Sequence, residues 1–220
     1  MAASPRLGLV ALGDSITVGE GSMALGITPL SWAQWLARAL DLPFTCYASN
    51  GATASDVLHA QLPRVRAEFD IAALYAGVND VRVPWFDPAA YERDLDAIAA
   101  GLAPRADRLL MLTLPEDLGR PVCAPKPAQA NEVVRRVAAR HGAAVADLSD
   151  FGGWTHVLPD VVHPTPLGQL QIADRAARAL DATVLPSALV ADQREPDLRY
   201  APAHARALAR DLVRRARERM

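Results

Sequence analysis

Short apolar runs at residues 7–12 and 71–76, each followed by turn residues, and a third at 109–114 ending at Pro115, have the length and continuity of strands buried on both faces. Residues 44–48 and 143–146 carry the same signal more weakly. Between these runs the apolar positions take a helical spacing, predicting helices over 31–40, 55–68, 88–102, 129–141 and 165–182. Asp87 before Pro88 and Thr165 before Pro166 have the form of N-caps with proline at the first helical position, and Gly142 that of a C-cap. Strand and helix alternate, which predicts an α/β fold: a three-layer α/β/α sandwich around a five-stranded parallel sheet.

Composition narrows this picture. A chain of 220 residues, 51% of them hydrophobic, can bury a sizeable core, and we read one α/β/α domain over 1–185 followed by an extension over 186–220. The formal net charge of −2 provides no global field for nucleic acid or anionic membrane. Residues 1–6 and the brief apolar run after them do not make a signal peptide. The longest uncharged stretch, 21–37, is interrupted by Gly26, Pro29, Ser31 and Gln34. No stable membrane insertion is expected, and the cytoplasm is the simplest compartment. Cys46 and Cys123 form neither a disulfide framework nor a zinc pattern. The extension differs from the rest, with eight arginines against five acids, while residues 1–185 carry fifteen basic and twenty acidic residues. Ala205, Leu208, Ala209, Leu212 and Ala216 share one face of a helix there, with arginines around the others. Mostly alanine, that face offers little area to a membrane, so we read the helix as packed on the domain with a solvated arginine face.

Chemistry gathers where the strands end. In open α/β sheets ligands bind beyond the carboxyl ends of the strands. There the sequence places Gly13-Asp14-Ser15, Asn50-Gly51, Gly77-Val78-Asn79-Asp80 and, after a long loop, Asp160-Val161-Val162-His163-Pro164. Singly, each is ordinary turn material. Jointly they meet the needs of acyl transfer: a nucleophile, a base, a carboxylate to orient the base, and donors for an oxyanion. In a flavodoxin-like strand order, 2-1-3-4-5, Ser15 lies between Gly51 and Asn79. Asp160 stands three residues before His163, close enough to take its Nδ1–H and leave Nε2 for Ser15. The loop 148–162 must then carry the pair back across the sheet.

These four blocks resemble, in order, those of the SGNH/GDSL hydrolases, with Ile16 where the family name has Leu. The resemblance implies a flavodoxin-like α/β/α fold and hydrolysis of carboxylic esters of small molecules, as by an esterase or lipase, without cofactor or metal. It implies Ser15, His163 and Asp160 as catalytic residues, with an oxyanion hole from the N–H groups of Ser15 and Gly51 and the amide of Asn79. An acyltransferase using the same residues, or a silent binding domain on the same fold, are the alternatives. Asp14 and Asp80 are assigned to tying turns. His141 sits at a helix C-terminus, His59 and His204 are placed at helix surfaces, and His156 with Asp160 and His163 could form a facial metal set, although the Ser15 constellation already explains two of the three. Loops 21–30 and 81–86 are expected to wall an acyl pocket, and loop 116–127 to serve as a lid or as packing.

Overall fold

The computed structural model describes residues 6–19, 27–190 and 201–218. Five parallel strands, β1 (Leu9–Gly13), β2 (Phe44–Cys46), β3 (Phe69–Tyr75), β4 (Ala106–Leu112) and β5 (Ala144–Ala146), form one sheet in the order β2-β1-β3-β4-β5. This is the flavodoxin-like order. β1 is buried throughout, β3 almost so, and β4 over its last four residues, as continuous Leu, Val and Ala runs require beneath helices on both faces. α2 (Trp32–Ala39) packs on α7 (Pro166–Ala179), and α5 (Pro88–Leu102) on α6 (Lys126–His141), two pairs that cover the sheet.

The helix expected over 55–68 is broken into three turns. Thr53 and Asp56 cap α3 (Ala54–Asp56) reciprocally; a π turn, Val57–Gln61, and a 3-10 turn, Leu62–Arg64, follow. Pro63 lacks an N–H and crowds the turn before it, so a regular helix cannot run through. Two single-turn helices directly follow strands, α1 (Ser15–Val18) after β1 and α4 (Val78–Arg82) after β3. Such turns are too short for periodicity to register.

Buried polar side chains fix the sheet's carboxyl edge. Gln61 accepts from Gly13 N at 2.9 Å and donates to Gly13 O at 2.8 Å and Ser49 Oγ at 3.2 Å. Gln169 on α7 accepts from Trp32 N at 2.8 Å and donates to Ile16 O at 3.0 Å, joining α1, α2 and α7. Each pairs backbone groups that would otherwise lose their hydrogen bonds in the interior, a cost of about 1–3 kcal/mol apiece.

The two acids at this edge tie turns. Asp14 is fully buried and caps α1, with Oδ1 accepting from Ile16 N at 3.0 Å. Its Oδ2 has no partner among the described residues. Burial pushes the Asp14 carboxyl up to about 7, against the pull of the Ile16 N–H and of His163. Asp80 accepts from Ala54 N through both oxygens, and burial raises it to about 6.

The C-terminal segment forms α8 (Ala201–Glu218). Ala205, Leu208, Ala209, Leu212 and Ala216, the apolar stripe expected to pack on the domain, are all exposed, Leu208 at 52% and Leu212 at 59%, so that face is not the one that meets the domain.

Between the ordinary carboxylate value of 3.8 and about 7, folded Asp14 holds a proton that the unfolded chain gives up, so its contribution to stability falls as pH rises through that window. Asp14→Asn cannot ionise. Its Tm relative to wild type is therefore expected to rise between pH 5 and pH 8, measured by thermal unfolding in parallel buffers. A difference that does not change with pH would show that Asp14 is not buried as an acid.

Candidate active site

Three strand ends meet at one level. Gly13 lies in register with Tyr75 of β3, and Ser49 N donates to Gly13 O at 3.2 Å. The turn after β2 and the turn after β3 therefore flank the turn after β1, whose second residue is Ser15. It opens α1 behind the Asp14 cap, so its own N–H, in the first helical turn, has no intrahelical acceptor.

Ser15 Oγ stands 3.0 Å from His163 Nε2, and His163 Nδ1 stands 2.7 Å from Asp160 Oδ2. With Nδ1–H donated to the carboxylate, Nε2 is the acceptor for the serine hydroxyl. Asp160 Oδ1 also accepts from Val162 N at 2.9 Å and His163 N at 3.1 Å. Burial alone would raise the Asp160 carboxyl; the hydrogen bonds from the His163 ring and the two backbone N–H groups prevail and hold it below the usual range. It is ionised beside the imidazole.

The loop that carries this pair is a closed hairpin. Val157 and Pro164 form an antiparallel bridge, Leu158 N donates to His163 O at 2.8 Å, and Thr165 N to His156 O at 2.9 Å. At its tip Val161 has φ +55°, a left-handed backbone that a β-branched residue adopts only at a cost of about 1–3 kcal/mol. Neighbouring groups hold it there: Val161 N donates to Leu158 O at 2.9 Å, and Gly119 N to Val161 O at 2.8 Å. Loop 116–127 thus packs, at Gly119, against the hairpin.

The donors proposed for an oxyanion sit on the flanking turns. Gly51 has φ +75° and open space where a Cβ would stand, so its N–H is presented without a side chain over it. Asn79 Nδ2 donates to Ala52 O at 3.0 Å, which ties the Gly51 turn to α4 and spends one of the two amide hydrogens. Gly77 before it is also compelled: φ is +124°, and a Cβ would run into Tyr91 Oη. Ser15, Gly51, Asn79, Asp160 and His163 are thus brought to one edge of the sheet.

Other sequence expectations fare variously. His141 Nε2 meets Asp96 Oδ1 at 2.8 Å at the end of α6. His156 turns Nδ1 toward Gly152 O at 3.1 Å and Thr155 Oγ1 at 3.2 Å, while Asp160 and His163 pair with each other. His204, placed at the surface by the sequence reading, is half-buried with Nε2 2.9 Å from Val157 O. A carbonyl only accepts, so Nε2 carries the proton. Of loop 21–30, residues 21–26 lie outside the described residues, and in loop 81–86 Trp85 is 78% exposed. The sequence reading missed Gln61 and Gln169, because a glutamine within an apolar pattern carries no signal of the distant backbone it will meet.

A model of the GDSL-like Lipase/Acylhydrolase family matches residues 11–171. No curated protein sequence matches the chain. Among solved structures, TesA is similar at 21% identity and TM-score 0.66, over 79% of this chain and 97% of that one. LAE5, described as an α/β hydrolase enzyme from the metagenome of Lake Arreo, Spain, is similar at 23% identity and TM-score 0.63, over 79% of this chain and 94% of that one. A catalytic mutant of Axe2, an acetylxylan esterase from Geobacillus stearothermophilus, is similar at 18% identity and TM-score 0.63, over 83% and 97%. At these identities the likeness is one of fold. With its motif blocks inside the matched span and its sheet in the expected order, this chain belongs to the GDSL-like lipase/acylhydrolase family and is a hydrolase of the SGNH class.

Proposed function

We propose that this enzyme hydrolyses carboxylic esters of small molecules through an acyl-enzyme on Ser15, with His163 as general base and acid and Asp160 as its orienting carboxylate. The observation that carries this reading is the unbroken chain from Ser15 Oγ to His163 Nε2, 3.0 Å, and from His163 Nδ1 to Asp160 Oδ2, 2.7 Å. As Oγ bonds to the acyl carbon, its proton passes to Nε2, and the ionised Asp160 stabilises the imidazolium that forms. The tetrahedral carbon collapses, the ester C–O bond breaks, and Nε2 returns the proton to the leaving alkoxide. Water then repeats the sequence on the acyl-enzyme and releases the acid and free Ser15.

The negative oxygen of each tetrahedral intermediate is held by the N–H groups of Ser15 and Gly51 and the remaining Nδ2–H of Asn79. Donors fixed in place before reaction need no reorganisation as the charge develops. Asp14 and Asp80 support from behind: one caps α1, the other holds Ala54 beside the Gly51 turn. Acyl transfer to an alcohol would use the same residues, so the nature of the acceptor is read from products formed with a competing alcohol. No described helix is long and apolar enough to cross a membrane.

Hydrolysis of p-nitrophenyl acetate, butyrate and octanoate is expected for the wild type, unchanged by chelator, and Ser15→Ala is expected to lower kcat more than about 10³-fold. Equal rates for the two proteins would remove Ser15 as nucleophile. Asn79→Ala is expected to lower kcat by about 10²–10³ while KM moves about three-fold or less, the mark of a donor that acts on the transition state. An unaltered kcat would take Asn79 out of the mechanism.

A further inference from the structure

α8 turns its apolar stripe away from the rest of the molecule. Beside the exposed Leu208 and Leu212, Val213 is open as well, at 53%, and no described part of the chain covers these three. Contiguous exposed apolar surface rimmed by polar groups marks a place where something else binds. The helix is held to the domain near its start, where His204 Nε2 donates to Val157 O at 2.9 Å. There Ala205 and Leu208 share a groove with Trp154, itself 38% exposed. The apolar surface therefore runs from the helix onto the domain.

Charge decides what covers that surface. Residues 201–218 carry five arginines against two acids, whereas residues 1–185 carry an excess of acids. Arg206, Arg210 and Arg217 are exposed and, at the helical repeat, follow one another along one border of the stripe. Arg210 and Arg217 line a shared hollow with Ala209 and Val213, which places guanidinium and apolar groups side by side. An anionic lipid surface answers both features, since phosphate headgroups take the arginines while the stripe enters the boundary with the acyl chains. Tryptophan suits that boundary because its ring is apolar and its N–H polar. A second copy fits poorly. A two-fold pair would press two net-positive helices together, and a helix seam needs large apolar side chains repeated over three to four heptads, where α8, 18 residues long, has Leu208 and Leu212 among alanines.

We propose that α8 docks the protein on anionic phospholipid: it lies in the plane of the bilayer surface, with its apolar stripe and Trp154 in the headgroup boundary and its arginines on lipid phosphates. The stripe read from the sequence is small, and the structure adds Val213 and Trp154 to it. No described helix is long and apolar enough to cross a bilayer, so this docking is peripheral and reversible. The family pattern ends at residue 171, and α8 lies wholly beyond it. The inference goes beyond the esterase reading and does not depend on it, since neither Ser15 nor its partners take part.

The test sediments the full chain with vesicles of phosphatidylcholine alone or with about one third phosphatidylglycerol. Binding to the anionic vesicles is expected to exceed that to the neutral ones about ten-fold or more, and to fall as added salt screens the attraction. Each arginine near such a surface is worth about five-fold in binding. The triple variant R206Q/R210Q/R217Q is therefore expected to bind about 100-fold more weakly, and R206K/R210K/R217K, which keeps the charges, to stay within about five-fold of wild type. Leu212→Asp together with Val213→Asp is expected to weaken binding about ten-fold or more, by removing the apolar half of the contact. All these positions are exposed, so each variant is expected to unfold near the wild-type Tm, which separates lost docking from lost folding. No binding at all, equal binding to neutral and anionic vesicles, or binding by the glutamine variant equal to that of wild type would overturn the proposal. A dimer in solution that Leu212→Asp breaks, without vesicle binding, would overturn it in favour of a second copy.

Discussion

Gly13 is the last residue of β1, and its backbone is where sheet, turn and active site join. Its N–H and C=O lie in the interior, where an unpaired group costs as much as a lost hydrogen bond. The Gln61 side chain closes on both and reaches Ser49 as well. Ser49 N closes on the carbonyl from the other side. Once the end of β1 is held between the turn after β2 and the π turn, the next two residues have little freedom. Asp14 caps the short helix, and Ser15 emerges at its head. The Gln169 bonds to Ile16 O and Trp32 N then fix that helix against α2 and α7.

The other half of the site is built by a different device. The Asp160–His163 pair does not sit on a strand or a helix. It sits on a hairpin pinned at its base by the Val157–Pro164 bridge, at its tip by Gly119, and from outside by His204. A backbone strained at Val161 persists only where its surroundings over-determine it. Here Val161 itself is held by two hydrogen bonds, from its N–H to Leu158 O and from Gly119 N to its carbonyl. A rigid carrier keeps the 3.0 Å contact between His163 Nε2 and Ser15 Oγ, which tolerates little displacement of the loop that presents the imidazole.

Electrostatically the site separates its three carboxyl groups by environment. Asp160 accepts three hydrogen bonds and stays ionised beside the imidazole. Asp14 and Asp80, buried with fewer donors, are pushed up to about 7 and about 6. Burial raises Asp14 and Asp80, whereas the hydrogen bonds to the less buried Asp160 outweigh its burial and keep it ionised beside His163.

Much of this was legible in the residues alone. Parallel strands buried on both faces write themselves as unbroken apolar runs, so the strands at 7–12, 71–76 and 109–114 and a parallel sheet between helices followed from pattern and from the shortness of crossovers, while the flavodoxin-like order came with the family resemblance. The motif blocks were legible for the same local reason: Gly13-Asp14-Ser15, Gly77 to Asp80 and Asp160 to Pro164 each encode a turn, a cap or a three-residue pairing that needs no distant partner. What only the tertiary structure decided are the contacts between residues far apart in the chain. Ser15 and His163, 148 positions apart, were expected together from their motif blocks, but Gln61 and Gly13, 48 apart, and His204 and Val157, 47 apart, were not. A side-chain hydrogen bond of that kind leaves no period and no spacing in a sequence. It depends on which groups the packing leaves unpaired, and that is settled only when the layers close on one another.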